Sequence, residues 1–158
     1  MTEIARPPLP PFDTATAAHK ARRAEGAGNA RDPNRVALAD IQPSLWRNRA
    51  AFFRGREAIR EFLIRKRARA LDHRLIKEAW ACIANRIVMR SNHEWHDDSG
   101  RWFHSHGNEQ PAFDAPGPMR RREASINDLP IAASDRRFLW HPWGPRPEDH
   151  PGLTEPGP

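Results

Sequence analysis

Four alternating segments decide how this chain folds: HRLIKEAWAC (73–82), RIVMRSNHEWH (86–96), RWFHSHGNEQPAF (101–113) and MRRREASINDL (119–129). Their side chains follow a period of two, the repeat of a β-strand with one buried face. Asn85, Asp97-Asp98-Ser99-Gly100 and Asp114-Ala115-Pro116-Gly117 supply turn residues between them. Connections this short force consecutive strands to run antiparallel. Upstream the period is helical. From Arg56 to about Ala70, Ile59, Phe62, Leu63 and Lys66 fall at i, i+3, i+4 and i+7, so the lysine stem closes an apolar stripe by snorkelling. Asp13 or Thr14 opens an earlier helix that runs to about Arg31 on an alanine face. Asp32-Pro33 caps a short second helix that carries Val36 and Leu38 and ends near Asp40, before Pro43. Leu45–Arg49 reads as a short strand, and Phe52-Phe53 before Gly55 marks a turn. Helices followed by a curved antiparallel sheet make an α+β architecture.

Prolines at 7, 8, 10 and 11 make residues 1–12 an extended arm. Residues 13–131 form the domain. The Pro/Gly-rich stretch 132–158 is an irregular tail, with Phe138, Trp140 and Trp143 as anchors to the body or to a second subunit. A length of 158 residues suits one domain, and with six Trp, seven Phe and no Tyr the core leans on few large aromatics. The net charge of +6 raises nucleic acid as a partner, but the excess is spread thinly and is mostly arginine. Neither Arg54–Arg69 nor Arg120–Arg122 is interleaved with aromatic stacking platforms, so nucleic acid is not the expected partner. No apolar run has the length of a signal peptide or a membrane span, and Cys82 has no cysteine to pair with. The expectation is a cytoplasmic protein away from membranes.

Trp46-Arg47-Asn48-Arg49, then Gly55-Arg56, then Glu94-Trp95-His96-Asp97-Asp98-Ser99-Gly100, occur in order. Gly107-Asn108-Glu109 and Arg121-Arg122-Glu123-Ala124-Ser125-Ile126-Asn127-Asp128 continue the series. Together they resemble an uncharacterised bacterial family of the nuclear transport factor 2-like superfamily, over nearly the whole chain. The resemblance implies a cone of three N-terminal helices on a curved sheet, a pocket between them, and a homodimer. Relatives by fold include ketosteroid isomerase, scytalone dehydratase, limonene epoxide hydrolase and polyketide cyclases, alongside plain binding proteins. None of the enzymes' catalytic motifs matches here residue by residue, so fold alone does not assign function. The chain also departs from its family's pattern, which has aromatics where Ser91, His93, His106 and Pro111 stand, and a Trp at Gly28. That pattern implies either a smaller-walled, more polar pocket or a less stable relative.

Alternation places Trp102, His104, His106 and Asn108 on one face of their strand. A four-residue turn at 97–100 would set His93 opposite His104 and Trp95 opposite Trp102, so that three imidazoles converge. Such a set would suit zinc, but the ordinary reading is hydrogen-bonded histidines, and neither metal nor cofactor is expected. Glu94, Glu109 and Asp128 are the candidates for acid–base catalysis in a dry pocket. For Glu109 the competing reading is a cross-sheet salt bridge to Arg122 or Arg120 on a solvated face. Ser125 and Asn127 share a face and could orient a ligand carbonyl, whereas Trp46 and Asn48 could give a pocket one apolar wall and one amide. The expected function is a pocket that binds a small organic molecule, with isomerase, dehydratase or cyclase chemistry as the alternative.

Overall fold

The computed structural model describes residues 5–30, 32–37 and 39–153, without the side chains of Ile41 and Gln42. The expectations for residues 1–4, Arg31, Leu38 and 154–158 lie outside these. Helix α1 spans Thr14–Asn29, and Asp13 caps it in a reciprocal box with Thr16. Helix α2, Pro33–Ala37, is shorter than the expected run to Asp40. Strand β1 spans Asp40–Asn48 and passes through Pro43, which therefore bulges a strand rather than closing a helix. The β1 register accordingly shifts between Asp40 and Leu45. Strand β2, Ala51–Arg54, pairs antiparallel with β1, and Gly55, at φ 89°, turns the chain into α3, Arg56–Arg69.

The four alternating segments form β3 (Leu71–Ile83), β4 (Arg86–His96), β5 (Trp102–Phe113) and β6 (Met119–Ile131) in an antiparallel meander. The sheet order is β2-β1-β6-β5-β4-β3, with β1 parallel to β6. Register shifts in β3 at 71–74 and 79–81 bend the sheet around the helices. Pro111 is absorbed by a gap in the β4–β5 ladder, which passes from Met89–Glu109 to Arg86–Ala112 without a pair at the proline. The result is the α+β cone implied by the resemblance.

Two apolar clusters fasten helices to the concave face of the sheet. Ala17 and Ala21 of α1 meet Phe12, Ile87, Met89 and Phe113, and Ile59 and Leu63 of α3 meet Ala37 and Trp46. The free edge of β3 is closed by α1: the Asn29 amide donates to Leu75 O and accepts from Leu75 N, both at 2.9 Å, and Glu25 accepts from Lys77 N at 2.9 Å. Two helical side chains four residues apart thus stand in for a neighbouring strand. The extended arm lies on the body, where Lys20 Nζ donates to the carbonyls of Arg6, Pro8 and Gly117. The tail docks on the convex face, with Phe138 and Trp140 buried against Ile76. No described helix is long and apolar enough to cross a membrane.

Candidate functional site

A cleft opens between the helices and the concave face of the sheet. Its inner lobe, about 100 Å³, has apolar walls at Trp46, Phe62 and Leu63 and small ones at Ala24, Ala27 and Gly28. Its mouth, about 240 Å³, is bordered by Arg49, Trp95, Ser105 and Asp128. Asn48, Phe62, Lys66, Ala70, His73 and His93 face both lobes. Gly28 keeps the inner wall low. A Cβ there would lie 2.6 Å from Leu75 Cδ2, so any larger residue at this position requires the Leu75 side chain to move aside.

The polar groups of the cleft are unevenly satisfied. Asn48 is 5% exposed, and its Nδ2 has no hydrogen-bond partner among the described residues. A buried amide donor left unmade costs about 1–3 kcal/mol, so its retention is itself informative. His73 Nε2 and His93 Nδ1 share a hydrogen bond of 2.8 Å, and His93 Nε2 reaches Ser91 Oγ at 3.3 Å. Burial, reinforced by the nearby Lys66, holds both imidazoles well below their ordinary pKa, so the pair is neutral at pH 7. Lys66 itself is lowered to about 7 by desolvation and by the neighbouring Arg122. Its ammonium makes no hydrogen bond or ion pair among the described residues.

Behind the inner lobe, Glu109 Oε2 is 2.9 Å from Lys77 Nζ, and its Oε1 accepts from Arg122 Nη2. Burial pushes the Glu109 carboxyl up, but Arg122 and Lys77 outweigh it and hold the pKa near 2. The cross-sheet ion pair to Arg122 therefore forms, though buried and not on a solvated face. Arg122 also lies 4.5 Å from the centre of the Trp46 ring, and Trp46 Nε1 donates to Asp40 at 2.7 Å. Asp40, fully buried, also accepts from Ser44, and burial raises its pKa to about 7. At the mouth a relay runs from Trp95 Nε1 to Ser105 Oγ (3.0 Å) and on to Asp128 (2.6 Å), which Arg49 pairs at 2.6 Å.

The remaining candidates lie across the sheet. Residues 97–101 make a five-residue connection, so His93 stands opposite Ser105, Glu94 opposite His104, Trp95 opposite Phe103 and His96 opposite Trp102. That one-residue difference from the expected turn sends His93 to the concave face and Trp102, His104, His106 and Asn108 to the convex one. The three imidazoles do not converge; His93 meets His73 instead. Among the described residues no group of three His, Cys, Asp or Glu side chains gathers as metal ligands. Ser125 and Asn127, opposite Asn108 and His106, share the convex face. Glu94 there accepts from His104 Nδ1 at 2.9 Å and from the backbone N–H of Arg137 and Phe138, which clamps the tail.

Lys66 and His73 belong to the cleft but carried no functional expectation. The signal was present. Only three lysines occur in an arginine-rich chain, at 20, 66 and 77, and all three border the concave side.

A family model described as Protein of unknown function (DUF1348) matches residues 10–139. The chain belongs to the DUF1348 family. No curated protein matches it. Among solved structures, the DUF1348 chain is similar to a hypothetical protein with a ketosteroid isomerase-like fold from Catenulispora acidiphila, in complex with trimethylamine. That match has a TM-score of 0.58 at 14% identity and covers 63% of this chain and 78% of the other. SalBIII, an epoxide hydrolase/cyclase-like enzyme of salinomycin pyran ring formation, aligns at 0.64 and 10% identity over 73% and 93%. A protein assigned as a SnoaL-like polyketide cyclase from Shewanella denitrificans aligns at 0.57 and 15% identity over 66% and 85%. At these identities the likeness establishes the fold: the DUF1348 chain is a nuclear transport factor 2-like cone.

Proposed function

We propose that this protein binds a small, partly apolar organic molecule in the cleft between α1, α3 and the sheet. The buried, unpartnered Asn48 Nδ2 carries the reading, because a donor facing a cavity walled by Trp46 and Phe62 is what orients a ligand in an otherwise apolar site. The Catenulispora protein, which holds trimethylamine in the same fold, lends support at the level of ligand size. A thermal-shift screen with small ketones, aromatics and terpenoids tests it: a native-state ligand raises the Tm of the wild-type protein, and Asn48→Leu abolishes the shift. Hits of equal size on both proteins would remove the cleft from consideration.

The neutral His73–His93 pair favours a second reading, an isomerase, dehydratase or cyclase. His73 Nδ1 has no hydrogen bond among the described residues, so it is the pair's free position for accepting a substrate proton, with His93 and Ser91 passing charge behind it. Asp128 at the mouth is the carboxylate best placed to assist. Glu94 is committed to the tail and Glu109 to its two cations. Deuterium incorporation α to a ketone in D2O, lost in His73→Ala, would support this; exchange at the buffer rate with a ligand that does bind would leave a binder. We further propose a cytoplasmic homodimer, supported by the exposed Trp80, Ile83 and Val88 on β3 and β4. Light scattering at micromolar concentration checks it, and a monomer mass would refute it.

A further inference from the structure

The inner lobe of the cleft is bordered by Lys66, Arg67, Lys77 and Arg122, and no Asp or Glu borders it. The nearest carboxylate, Glu109, lies behind Lys77 and Arg122 and is consumed by both. Two buried donors are left without acceptors among the described residues, Asn48 Nδ2 and Arg122 Nη1, and the half-buried Lys66, which lines both lobes, adds an ammonium beside them. A buried cavity with surplus positive charge and surplus donors lacks one thing, an anionic acceptor. The remaining walls, Trp46, Phe62, Leu63 and the alanines of α1, are apolar and leave room for only a few carbons.

Building on the reading of the cleft as a binding site, we propose that it takes a small apolar monocarboxylate, its carboxylate received by Lys66 and Asn48 and its hydrocarbon lying along Phe62 and Leu63. Binding then restores a full charge to Lys66 and takes up a proton near neutral pH. The groups that set this titration are Arg122, Lys77 and Arg67, which oppose the lysine's charge, Glu109, which favours it, and the neutral His73 and His93 beside it.

Isothermal titration of the full chain with isobutyrate and benzoate, against isobutyramide and benzamide and against inorganic phosphate, tests the assignment. The acids are expected to bind at least tenfold more tightly than the amides, more tightly at pH 6 than at pH 8, with proton uptake revealed by buffers of different ionisation enthalpy. Lys66→Met and Asn48→Leu should each weaken the acids tenfold or more while melting cooperatively. Amides that bind as well as acids, with the Asn48→Leu variant losing both, would overturn the anion assignment and keep the cleft. Phosphate binding as tightly as benzoate would overturn the apolar carboxylate in favour of any anion. No binding of acids or amides, together with no hit in the neutral screen, would overturn both readings.

Discussion

Lys66 ends the apolar stripe of α3, so its half-buried side chain lines the cleft with His73, His93 and Arg122. Its folded pKa of about 7 lies below the ordinary 10.5. Between those values the unfolded chain holds the extra proton, so stability rises with pH there, and the burial penalty is complete below about 7. Lys66→Met should therefore melt above the wild-type protein at pH 6, with the gap closing by pH 10; equal melting curves at pH 6 would show a well-solvated ammonium. Glu109 has the opposite character. It pairs with both Lys77 and Arg122, and Glu109→Gln leaves two buried cations without that partner, a change that costs about 3–5 kcal/mol. Urea unfolding at pH 7 measures it, and a loss below 1 kcal/mol would mean that water reaches the pair.

At the scale of elements, the period-two segments were legible because each strand buries one face, α1 because its Asp13 cap and alanine face agree, and α3 because of its apolar spacing. Pro43 misled, since a proline reads as a stop, and only the pairing of β1 with the distant β6 reveals a bulged strand. The register between β4 and β5 misled for a local reason: whether Arg101 belongs to the turn or the strand moves every side chain of one strand across the sheet. Function was harder to read than fold for that reason, since His93, His104 and His106 share a pattern but not a face. The edge of β3 depends on Asn29, and Asn29→Ala leaves the Leu75 N–H and C=O without partners. We expect a loss of about 1–3 kcal/mol in denaturant unfolding and a higher tendency to aggregate; unchanged stability would mean that the helix is dispensable at the edge. The tail depends on Glu94. Burial raises that carboxyl, but His104 and the two backbone donors win and hold it below its ordinary 4.5. Its contribution is therefore full above pH 4.5 and lost as pH falls through the lower folded value. Glu94→Gln should speed amide exchange at Arg137 and Phe138, and exchange at the wild-type rate would place the anchoring in Phe138 and Trp140 alone.

In the whole molecule, arm and tail wrap a cone whose two sheet faces have separate tasks: the concave face holds the cleft, and the convex face holds the tail through Glu94, Phe138 and Trp140. A single chain thus turns Trp46, Asn48 and His93 toward the cleft, while Trp102, His104, His106, Asn108, Ser125 and Asn127 look away from it. The basic runs that raised nucleic acid are partly neutralised in place, by Arg121 with Glu123 and Arg60 with Glu57. The most direct test of this division is a titration of the ¹⁵N-labelled protein with benzoate, followed by backbone and side-chain amide NMR. The account predicts shifts centred on the Asn48 side chain, His93 and Ser105; shifts confined to His106, Asn108 and Asn127 would contradict it and move the site to the convex face.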